Sequence, residues 1–116
     1  MKILPLSKKA NWMLPEQEQL KKEFKEAKRF VEVRVGEQHI FHRNFFRIRV
    51  LPICECERMF LRVEMGEYGE FPLHVPYIIV ISKQGEELQL QFERQEDARG
   101  ALTYLEENHK EIRYGK

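Results

Sequence analysis

At 116 residues and 42% hydrophobic content, the chain suffices for one core and is short for two comfortable domains, so a single domain over residues 15–116 is expected. Its longest apolar stretch, around residues 78–81, falls far below the roughly 20 residues that cross a bilayer, and no integral membrane segment is expected. Net charge is only +1, yet residues 1–50 hold twelve Lys or Arg against six Glu, and residues 51–116 hold eight against thirteen acids.

Residues 1–14 carry Pro5, Lys8, Lys9, Asn11 and the only tryptophan, Trp12, without any period, and read as a tail or docked arm. Pro15 suits a first helical turn, Glu16 and Glu18 the positive end of a helix dipole, and Lys28 and Arg29 its negative end. A helix from about 15 to 29 follows, with a narrow apolar side of Leu20, Phe24 and Ala27. Val31, Val33 and Val35 then alternate with Glu32 and Arg34, and residues 36–38 break the run before a second extended stretch that reaches Val50. In that stretch Phe46, Ile48 and Val50 should face the core and Arg47 and Arg49 the opposite side, with Pro52 ending or bending the strand.

Met59, Leu61, Val63 and Met65 alternate with Phe60, Arg62 and Glu64 to predict another strand. Residues 66–76 form the longest expected loop, bearing Tyr68, Phe71, His74 and two prolines. An apolar run over residues 77–83, a turn at Gly85, and the alternation of Leu88, Leu90 and Phe92 predict a hairpin. The closing helix places Ala98, Ala101, Leu102, Leu105 and His109 on one side. These elements describe an α+β fold: a mainly antiparallel, curved sheet of about five or six strands with an N-terminal helix and a packed C-terminal helix.

Four groups of residues bear on chemistry. His39, His42, Cys54 and Cys56 would complete a tetrahedral zinc set, but a C-x-C pair is tighter than the C-x₂₋₄-C knuckle and the two halves fall on different elements, so no metal is expected. Arg34, Arg43, Arg47 and Arg49 form the densest cationic group; several arginines converging on one anion would give charge-assisted, bidentate hydrogen bonds, while cross-strand pairing with Glu32 or Glu64 is the plainer role. Phe41, Phe45 or Phe60, if exposed beside them, could stack on bases. Catalysis is constrained by scarcity, since Asp97 is the one aspartate and Ser7 and Ser82 the two serines. No phosphate-cradling glycine motif is present, and no cofactor is expected.

The strands followed by one C-terminal amphipathic helix, most closely from Tyr77 through Ile112, resemble the pleckstrin-homology-like architecture. In phosphoinositide-binding members of that superfamily, a basic residue on the first strand and a basic-x-Arg triplet on the second hold the headgroup. Arg34 and Arg47-Ile48-Arg49 are similar to that pattern, and the resemblance implies a lipid headgroup site there. The chain differs in having a helix before its strands, no tryptophan in the closing helix, and fewer than seven expected strands.

The expected function is a non-enzymatic binding module that recognises a protein partner through the 66–76 loop, the N-terminal helix or an open sheet edge. Trp12, Tyr68, Phe71 and His74 are the candidate contact residues. The alternative is an anion-binding module for nucleic acid or acidic lipid using Arg34, Arg43, Arg47 and Arg49, and a small enzyme comes third. Two cysteines make no disulfide scaffold, and the first residues lack the apolar region of a signal peptide, so the expected location is cytoplasmic.

Overall fold

In the computed structural model, residues 1–68 and 71–116 are described, with the backbone alone for 66–68 and 71–73. The fold is α+β, with two α-helices and nine strands in two mixed sheets among the described residues. There are more strands than the alternation marks, because strands of two or three residues are too short to show a period. The chain divides into two compact units, Met1–Glu55 and Cys56–Lys116. The first holds twelve Lys or Arg against seven acids and the second eight against twelve, so the charge asymmetry of the sequence is also one between units.

The first unit is a five-stranded sheet in the order β1 (Ile3–Pro5), β5 (Arg47–Pro52), β4 (His39–Asn44), β3 (Val33–Val35) and β2 (Lys28–Phe30), with helix α1 (Gln17–Glu26). β1 lies parallel to β5 and every other pairing is antiparallel. The start of the chain, read as a tail or docked arm, thus contains a strand, and the Gln17 amide holds it like a neighbouring backbone. Gln17 Oε1 accepts from Ile3 N and Gln17 Nε2 donates to Ile3 O, both at 2.8 Å. Leu20 and Phe24 of α1 pack with Ile3, Phe41, Ile48 and Val50, and the Phe24 and Phe41 rings meet edge-on at 5.4 Å.

Three expectations for this unit are corrected. The helix stops at Glu26 instead of running to 29, because Ala27 is extended and Lys28 and Arg29 join β2. Arg34 Nη1 donates to the Phe24 carbonyl at 3.1 Å and its guanidinium stacks 3.9 Å from the Phe24 ring, which satisfies the helix end from the sheet side. Val31 is a turn residue with φ 54°, not part of a strand. The stretch reaching Val50 is two strands joined at Phe45, with φ 56°, and Phe46, so Phe46 stands 97% exposed instead of facing the core.

The second unit is a four-stranded sheet in the order β8 (Glu87–Gln91), β7 (Phe71–Ser82), β6 (Cys56–Tyr68) and β9 (Arg113–Tyr114), with helix α2 (Gln95–Asn108) packed on β6 and β7. β9 runs parallel to β6. Met59, Ile78, Ile79, Val80, Leu90, Ala98, Ala101 and Leu105 are fully buried, and each large side chain contributes roughly 1.5–3 kcal/mol by leaving water. His109, placed on the helix's apolar side by its spacing, is instead the half-buried residue just past the helix end. The β7–β8 turn closes on buried Ser82, whose Oγ accepts from Glu86 N at 3.0 Å, while Gly85 supplies φ 88°.

The expected 66–76 loop is largely strand: β6 and β7 pair as far as Tyr68 and Phe71, and Gly69 and Glu70 lie outside the described residues. Its two prolines occupy positions that face away from β6, so the β6–β7 ladder loses no hydrogen bond to them. Phe92 N donates to Pro76 O at 2.9 Å, so the backbone of Pro76 points away from β6, and that of Pro72, four residues earlier, does the same. Among the described residues no helix is long and apolar enough to cross a membrane.

Tyr114 OH donates to the His109 carbonyl at 2.7 Å. Burial, then the negative charges of Glu111 and Glu106, push its phenol well above the ordinary tyrosine value of about 10. A raised native pKa contributes stability that is complete below about pH 10 and lost as pH climbs toward the native value. Phenolate absorbance is therefore expected to show a late-titrating step, and Tyr114→Phe should remove it.

Candidate functional site

Strand polarity decides which backbone groups of the β6–β7 ribbon are offered to solvent. Gly115 N donates to Met59 O at 2.9 Å, so the backbone of Met59 points outward toward β9. Peptide groups alternate along a strand, so Leu61, Val63 and Met65 also direct N–H and C=O away from β7. Among the described residues β9 pairs only with Arg58 and Met59, and no strand pairs with this edge beyond it. Register agrees, because Val63 lies opposite Pro76, whose backbone also points outward.

The two edges of the ribbon differ chemically. On β7 the outward positions near the hairpin end include Pro72 and Pro76, which have no N–H to donate. On β6 they are Leu61, Val63 and Met65, each with donor and acceptor intact. Leu61 and Val63 are half-buried, Met65 is 75% exposed, and Glu64 is exposed. Arg62 points the other way in the alternation and is committed, its Nη2 lying 3.1 Å from Glu87 Oε1 and its Nη1 3.6 Å from Glu64 Oε1. The Glu87 hydrogen bond raises the Arg62 pKa and keeps the guanidinium charged.

The expected contact residues are distributed unevenly. Tyr68 and Phe71 pair across the end of the ribbon, with side chains outside the described residues, and exposed His74 lies opposite Met65. Trp12 belongs to the first unit, half-buried, with its Nε1 buried and lacking a hydrogen-bond partner among the described residues.

The four arginines do not share one face. Arg34 and Arg43 lie on the same side of the first sheet as Phe41, Ile48 and Val50, whereas Arg47 and Arg49 lie on the side of Ile40, His42 and Leu51. Arg29, which sequence reasoning assigned to a helix end, pairs with Arg34 in register. Partial burial, then repulsion from Arg29 and Arg43, lowers the Arg34 pKa, which marks Arg29, Arg34 and Arg43 as one positive group.

The zinc set is not assembled. His39 and His42 are three apart in β4 and therefore face opposite sides of the sheet. His39 Nδ1 lies 2.7 Å from Glu23 Oε1, and an ionised carboxylate only accepts, so this nitrogen carries the proton. Cys54 is exposed in a 3-10 turn and Cys56 is buried at the start of β6, and the two form no disulfide. No three His, Cys, Asp or Glu among the described residues come together around a metal-sized position.

Of the rings offered for stacking, Phe41 is buried and Phe45 is 85% exposed, while sequence reasoning missed the exposure of Val31 and Phe46, 70% and 97% exposed on the same two hairpin turns. The signal for the second turn was Asn44, a residue suited to turns, directly before two aromatics of opposite strand parity. No family model, curated protein or solved structure matches the chain.

Proposed function

We propose that the chain is a non-enzymatic protein-binding module that receives an extended peptide segment along the outer edge of β6. The observation that carries this reading is the contrast between the ribbon's two edges. An exposed edge invites pairing with any extended chain, and proteins commonly blunt such edges with proline. Here the β7 edge has prolines at 72 and 76, and the β6 edge keeps the outward N–H and C=O groups of Leu61, Val63 and Met65. Main-chain pairing would supply affinity, and alternate apolar side chains on the peptide would meet Leu61, Val63 and Met65.

The test is a display selection of short peptides on the folded protein, repeated on Val63→Pro. Proline at 63 deletes an outward N–H and leaves the β6–β7 pairing intact, so the variant should melt like the wild type. Selected peptides should bind the wild type and lose at least about tenfold in affinity for Val63→Pro. Peptides that bind both proteins equally, or no enrichment on the wild type, would refute the proposal.

A further inference from the structure

The first unit exposes apolar side chains in a pattern that core packing does not explain. Register brings its two turns to one end of the sheet: Arg43 N donates to Glu32 O at 2.7 Å, which sets the Val31–Glu32 turn beside the last residues of β4, and Phe45 and Phe46 follow at once. Val31, Phe45 and Phe46 are 70%, 85% and 97% exposed there. Val31 and Phe45 are also the only non-glycine residues with positive φ among the described residues, at 54° and 56°. A β-branched or bulky residue in that region is strained, and asparagine or glycine would fit more comfortably. Two strained positions thus carry side chains that stay largely exposed in the folded chain, and strain of this kind collects at binding and switching sites.

The surroundings choose the partner. Arg29 is two residues from Val31 along the chain, Arg43 two from Phe45, and Arg47 next to Phe46; all three are exposed, and none forms an ion pair among the described residues. Glu32 is the one acid within these turns. We infer that this end of the sheet docks on an anionic lipid surface, Val31, Phe45 and Phe46 entering the interface while Arg29, Arg43 and Arg47 meet lipid phosphates. Protruding turn tips suit a planar interface, where apolar tips enter the acyl boundary and a basic collar adds electrostatic attraction. Stacking on nucleic-acid bases would use rings on a sheet face, and an aliphatic Val31 has no part in it. These residues belong to the first unit and the β6 edge to the second, and neither proposal depends on the other.

Flotation with phosphatidylcholine vesicles, with and without phosphatidylserine, tests this directly. Wild type should float with the phosphatidylserine vesicles, less so as salt rises. A Phe45→Asn, Phe46→Ser variant should lose at least about tenfold in partitioning while melting at or above the wild-type temperature, because asparagine relieves the strain at 45. An Arg43→Glu, Arg47→Glu variant should lose binding comparably, and Met13→Ser, which alters a 97% exposed methionine outside these turns, should not. Wild type that stays in solution with both vesicle types, an aromatic variant that floats normally, a Met13→Ser loss equal to the aromatic one, or capture of a single-stranded oligonucleotide in place of vesicles would each overturn the inference.

Discussion

Replacing Glu23 with alanine is expected to destabilise the first unit by about 3 kcal/mol, read as a fall in urea midpoint at constant slope. One carboxylate does three jobs at the end of α1. Its Oε1 accepts from His39 Nδ1 at 2.7 Å, and its Oε2 accepts from His39 N at 2.8 Å and Gln38 N at 3.0 Å. His39 is 4% exposed, so alanine at 23 leaves a buried ring N–H and a buried amide unpaired. Each such loss costs about 1–3 kcal/mol, and the three bonds share one acceptor group, which keeps the total below their sum. Glu23→Gln retains an acceptor oxygen and should cost less than half as much.

Gly36 belongs to the same device. A Cβ at this position would collide with the Glu23 carboxylate and approach its Cγ at 2.8 Å, so Gly36→Ala should be destabilising because it pushes the acceptor off its donors. In a Glu23→Ala background that collision disappears, and Gly36→Ala should become nearly neutral. A double-mutant cycle reads the coupling, and additive costs would show that the two residues act independently.

Leu105→Ala is expected to destabilise the second unit by roughly 2–5 kcal/mol, the range for deleting a fully buried leucine. Leu105, Ala101 and Ala98 are the completely buried face of α2, and two alanines on that face let the helix approach the sheet closely. Little space remains for a neighbour to fill the void, which places the expected cost in the upper half of the range. Glu107→Ala, on the exposed side, should change stability by less than about 0.5 kcal/mol. Equal effects from the two substitutions would contradict the packing described for α2.

What the sequence discloses depends on whether a residue's neighbours lie nearby in the chain. The β7–β8 hairpin and α2 were legible because their periods are uninterrupted and local: Leu88 and Leu90 alternate, and Ala98, Ala101 and Leu105 recur at helical spacing. Phe46 misled because strand alternation continues through it in phase with Ile48 and Val50, and only the backbone reversal at Phe45 removes it from the core. Pro72 and Pro76 misled in the opposite direction, since proline breaks a strand only where its missing N–H is needed, and that depends on which side the partner strand lies. The end of α1 was overrun because Lys28 and Arg29 pair with β3, and Arg34 of that strand satisfies the Phe24 carbonyl, partners that lie outside the helix.

The candidate sites follow the same division. The basic character of residues 1–50 was visible from counting, yet the separation of Arg34 and Arg43 from Arg47 and Arg49 onto opposite faces needed the Asn44–Arg47 register. An open edge was among the surfaces expected for a binding module, but choosing β6 required knowing that β9 covers only Arg58 and Met59. The Glu23–His39 contact joins residues sixteen apart on different elements, and no local pattern announces it.

Amide hydrogen exchange, resolved by residue, tests the β6-edge account most directly. In the free protein the outward amides of Leu61 and Val63 are expected to exchange much faster than the inward amides of Phe60 and Arg62, which bond to β7. Adding a selected peptide should slow Leu61 and Val63 selectively and leave Phe60 and Arg62 as they were. Leu61 and Val63 amides that are already as protected as Arg62, or a peptide that protects residues away from this edge, would contradict it.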